Sequence, residues 1–66
     1  MRYYIYVYNV GASVPDIERT GSIATAERTA VEYSRDEYVA KVVVKDIERG
    51  TDTTFENGKQ TDFFAY

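Results

Sequence analysis

The run from Arg2 to Val10, Arg-Tyr-Tyr-Ile-Tyr-Val-Tyr-Asn-Val, is β-branched and aromatic almost throughout. That composition predicts a strand and not a helix. Side chains alternate across a strand, so Tyr3, Ile5 and Val7 fall on one side and Tyr4, Tyr6 and Tyr8 on the other. The aliphatic side is the expected core side. Gly11 to Asp16 reads as a loop with turn chemistry at Pro15 and Asp16, and Ile17 to Ile23 is expected to return as a second strand weakened by Gly21.

Between Ile23 and Tyr33 the period changes. Ile23, Ala26, Ala30 and Tyr33 recur at helical spacing, with Arg28, Glu32 and Arg35 on the opposite side. Ser22 or Thr25 can cap the N-terminus, and Glu27, in or near the first turn, suits the helix dipole. The two alanines allow close approach to a sheet of bulkier residues.

Tyr38 to Arg49 predicts a long strand, with Ala40, Val42 and Val44 on one face and Lys41, Val43, Lys45 and Ile47 on the other, ended by Gly50. A Thr-rich strand from Thr51 to Glu56 and a last strand from Lys59 to Ala65 flank Asn57-Gly58. That dipeptide is a strong hairpin signal, because both central residues of a type I′ turn need positive φ. The prediction is one α+β domain over residues 1–66. Its order is β-β-α-β-β-β, with a four- to five-stranded antiparallel sheet and one helix packed on one face. Asp-Ile-Glu-Arg occurs at Asp16 to Arg19 and again at Asp46 to Arg49, and the flanks do not extend it into a periodic repeat.

Composition narrows the chemistry. With no cysteine and no histidine, the chain has no disulfides, no thiolate or imidazole metal ligands, and no partner to activate Ser13, Ser22 or Ser34 as a nucleophile. The carboxylate pairs Asp36 with Glu37 and Asp52 with Glu56 read as solvated turn and helix-end residues, so no catalytic residue, metal or cofactor is expected. The net charge of −3 opposes general attraction to phosphate backbones and makes direct nucleic-acid binding a disfavoured expectation. No stretch approaches a membrane span, and Met1-Arg2-Tyr3-Tyr4 lacks signal-peptide features, so an intracellular setting is expected.

Binding is the remaining function class, with two candidate faces. Tyr4, Tyr6 and Tyr8 would stand on an uncovered sheet face, where apolar rings with polar tips suit an interface. The same rings could instead stack nucleobases, meet a second copy in a homodimer, or serve as a cross-strand ladder. Arg28, Glu32 and Arg35 form the outward helix face, able to grip a charged partner or to pair along the helix, and Glu27 is a further partner-binding candidate on the helix.

The stretch Ser22 to Ala30, with the closing hairpin around Glu56 to Lys59 and the order of elements, resembles small phage-encoded anti-CRISPR proteins, in particular the ninth family directed against the type I-F surveillance complex. The resemblance implies a five-stranded antiparallel sheet with one helix. It also implies a protein inhibitor that docks on the complex and blocks target DNA binding. Arg28 stands where that family has a basic helix residue, whereas Glu27 and Glu32 stand where it has lysines.

Overall fold

A computed structural model describes all residues, Met1–Tyr66. The order is β1 (Tyr3–Asn9), β2 (Asp16–Thr20), α1 (Ile23–Ser34), β3 (Val39–Asp46), β4 (Thr51–Glu56) and β5 (Lys59–Ala65). All five strands join one antiparallel sheet in the spatial order β2-β1-β3-β4-β5. This is the α+β architecture and the β-β-α-β-β-β order expected from the pattern.

The core forms where α1 crosses β1 and β3. Tyr3, Ile5 and Val7 of β1 and Val42 and Val44 of β3 are buried against Ala26 and Ala30, with Phe55 of β4 closing one end. Both alanines are fully buried, which lets the helix axis settle close to the valine-rich floor. The buried helical stripe is Ala26, Ala30 and Ser34. Ile23 and Tyr33, expected on that stripe, are 47% and 38% exposed. They lie at the margins because the helix packs through its smallest side chains. Tyr33 instead donates a hydrogen bond to the Glu18 carboxylate of β2.

Two strands, β2 and β3, differ from expectation by more than one residue, and the helix takes the first of its two candidate caps. β2 is shorter and shifted, Asp16–Thr20, because Gly21 and the helix cap at Ser22 end it before Ile23. Ser22 accepts a hydrogen bond from the Thr25 amide at 3.3 Å and is the N-cap, while Glu27 lies beyond the first turn. β3 stops at Asp46 because its carboxylate accepts the Glu48 and Arg49 amides at 3.1 and 3.2 Å and folds Ile47–Gly50 into a turn. The two Asp-Ile-Glu-Arg segments therefore differ in conformation, one a strand and the other mostly turn.

Two polar clamps hold the elements together. Arg2 binds Asp46 in a two-pronged pair at 2.9 and 3.0 Å, tying the start of β1 to the end of β3, and Asp46 is only 7% exposed. At the other end Ser34 is buried. Its hydroxyl donates to the Val31 carbonyl at 2.9 Å and accepts from the Gly58 amide at 2.8 Å, while its own carbonyl accepts from the Asn57 amide at 3.0 Å. The β4–β5 turn is thus latched to the C-terminus of α1. Asn57 and Gly58 both have positive φ, 53° and 78°, as a type I′ turn requires.

Each clamp makes a measurable prediction. Ser34→Ala leaves the Gly58 amide without its partner and should cost about 1 to 3 kcal/mol in urea denaturation. Ala30→Leu should cost about 1 to 3 kcal/mol by overpacking. The Asp46 carboxyl is lowered from 3.8 to about 2, chiefly by the hydrogen bond from Arg2, with the Arg49 and Glu48 amides adding and burial opposing. A depressed native pKa stabilises the fold above the unfolded value and loses that stabilisation as pH falls toward the native one. Asp46→Asn should therefore flatten the decline of the urea midpoint between roughly pH 5 and pH 2.

Candidate binding surfaces

The sheet face opposite α1 carries no covering element. Register places its side chains in rows that run across the strands. One row is Arg19, Tyr4, Lys45, Asp52 and Phe64, and the next is Ile17, Tyr6, Val43, Thr54 and Asp62. A shorter row pairs Tyr8 with Lys41. Tyr4, Tyr6 and Tyr8 stand together here, half-buried among their neighbours and open above. Tyr4 and Tyr6 lie near-parallel, with ring centres 6.5 Å apart.

Each tyrosine carries a cation. The Arg19 guanidinium lies 5.4 Å from the Tyr4 ring centre, Lys41 Nζ 5.1 Å from that of Tyr8, and Lys45 Nζ 5.9 Å from that of Tyr6. Lys45 is also 5.4 Å from the Tyr66 ring, and its pKa is raised, first by the Tyr66 hydroxyl and then by Asp52. The acids of this face belong to the other half of the sheet. Asp52 accepts the Tyr66 hydroxyl with one oxygen, while its other oxygen lies 4.0 Å from Lys45 and makes no hydrogen bond. Asp62 and Glu56 lie further out on β5 and β4.

The helix residues Glu27, Arg28, Glu32 and Arg35 are exposed on the opposite layer of the molecule, so the seven candidate residues form two separate surfaces. No ion pair forms among these four. The intrahelical pairing that their spacing allows is therefore not made. Arg35 sits at the helix C-cap, where its side chain lies over Gly58; a Cβ on Gly58 would come within 2.7 Å of its Nε atom. Its position serves the hairpin latch.

A third feature was not apparent from spacing. Beside α1, above β4 and β5, lies a groove of about 360 Å3 with Phe55 and Phe63 among its apolar lining and Ile23 and Glu27 on the helix wall. Arg49 lines it too and makes no salt bridge. Phe63 is 55% exposed and Ile23 47%. The sequence pattern put Ile23 on the core-facing stripe, and nothing local reveals that β5 lies beyond the helix's reach.

None of these surfaces gathers three or more metal-ligating side chains, and no helix is long and apolar enough to cross a membrane. Comparison with family models, curated proteins and solved structures found no match to the chain.

Proposed function

We propose that the chain is a non-enzymatic protein inhibitor that docks on a CRISPR surveillance complex and blocks target DNA binding. The observation that carries docking is that a single helix serves five strands. The groove beside α1 and the whole opposite sheet face are left without protein cover, and together they expose Ile23, Phe63, Phe64 and the tyrosine row. Exposed apolar area rimmed by charge is the usual mark of an interaction surface.

The target class rests on the resemblance at Ser22 to Ala30 and Glu56 to Lys59. The net charge of −3 suits docking on a basic surface, and the helix layer presents Glu27 and Glu32 exposed beside Arg28 and Arg35, none of the four in a salt bridge. Protein subunits that carry a guide or target strand offer such surfaces, because they neutralise phosphates. An inhibitor seated there would compete with the DNA for the same cations.

The test is reconstitution with a purified type I-F surveillance complex. The proposal expects the chain to co-elute with the complex in size-exclusion chromatography and to abolish its capture of target DNA at stoichiometric ratios. Separate elution with DNA capture unchanged at large excess would defeat it.

A further inference from the structure

The charge of the open sheet face is not the charge of the chain. The protein carries −3 overall. On the β2–β1–β3 half of that face, however, the charged side chains are Arg19, Lys41 and Lys45, all cationic. The acids of β2 belong to the other layer, where Glu18 accepts the Tyr33 hydroxyl from α1 and Asp16 accepts the Asn9 amide group at 2.9 Å. Asp52, Glu56 and Asp62 occupy the β4–β5 half, with one Asp52 oxygen reaching 4.0 Å from Lys45 at the border. Strand alternation has sorted the charges, leaving a local basic strip on an acidic protein.

That strip coincides with the tyrosines. Three rings follow one another along β1, and a cation lies within 6 Å of each ring centre. Aromatic platforms interleaved with phosphate-seeking cations are the recurring means of holding single strands without reading their sequence. The 6.5 Å between the Tyr4 and Tyr6 ring centres is nearly double the ~3.4 Å rise of a stacked strand. The Tyr4 and Tyr6 rings therefore match bases drawn apart, which a single strand supplies and a duplex does not.

We propose that the β2–β1–β3 half of the open face binds single-stranded nucleic acid, with Tyr4, Tyr6 and Tyr8 stacking on bases and Arg19, Lys41 and Lys45 meeting phosphates. This site lies on the open sheet face that the inhibitor reading also draws on, and its test uses the free protein alone, so the two readings can fail separately. Fluorescence anisotropy would follow fluorescein-labelled oligo-dT and oligo-U of about 10 nucleotides, within the usual range for such surfaces. A mixed-sequence duplex and a poly-glutamate peptide would be run beside them, at about 50 and 200 mM salt.

Binding should favour the single strands over the duplex. Three phosphate contacts on a single strand imply a slope of log K against log salt near roughly −2. Tyr4→Leu and Tyr8→Leu should each weaken binding by about 5-fold or more, the lower range for loss of one stacked base. Lys41→Gln, an exposed change that does not touch the core, should lower the salt slope while the circular dichroism spectrum is unchanged. Absence of strand binding at the lower salt would overturn the proposal. Equal binding of duplex and single strand, insensitive to both tyrosine changes, would overturn it as well. Tyrosine-dependent binding of poly-glutamate without binding of strands would assign the face to an acidic protein instead.

Discussion

Coverage is the constraint on which the rest of this structure depends: one helix must serve a sheet of five strands. Strands about 4.8 Å apart make a sheet roughly 19 Å across, while a helix with its side chains is about 10 Å wide. The helix can seal only the middle of one face, and the buried cluster lies there, on β1, β3 and the near side of β4. Everything outside that shadow is at most half-buried. All seven residues of β5 are exposed, and the strand is held by the β4 ladder and the turn that Ser34 latches.

A core of eight residues is small, and polar contacts at its two ends assume a larger share of the work. Arg2 and Asp46 form the two-pronged geometry that holds a partly buried ion pair best, and the same carboxylate also shapes the following turn. Ser34 does the equivalent at the other end by joining α1 to the hairpin. Without the first clamp, the start of β1 loses its side-chain tie to the end of β3. Without the second, the β4–β5 turn loses its tie to α1 and β5 is held by the β4 ladder alone.

The local patterns in the sequence carried much of this architecture. Ile5 and Val7 against Tyr4, Tyr6 and Tyr8 identified the faces of β1, and Asn57-Gly58 marked the hairpin, because each signal lies within a few residues. Ser34 and Asp46 were harder to read. A serine at the end of a helix and an aspartate at the end of a strand look like ordinary solvated residues until the partners, Gly58 and Arg2, arrive from 24 and 44 residues away. The site was half legible for the same reason. The tyrosine row follows from alternation alone, but the cation beside each ring depends on which strands become neighbours. β2 and β3 flank β1 only in the folded sheet order.

That order also bears on why the uncovered face is built mainly of tyrosine with cations, with Ile17 and Val43 the aliphatic members of its rows. An open face of valine and isoleucine would present the flat apolar surface on which sheets aggregate. A phenol instead covers the backbone with its ring and keeps a polar tip in water, and a neighbouring ammonium or guanidinium attracted to the ring adds hydration and like-charge repulsion between copies. The Arg19, Lys41 and Lys45 contacts thus keep a face soluble that the lone helix cannot cover. The same contacts define what can displace them: a ligand with π-faces for the tyrosines and negative charge for the cations. Protection of the free protein and selection of its ligand therefore rest on the same six side chains.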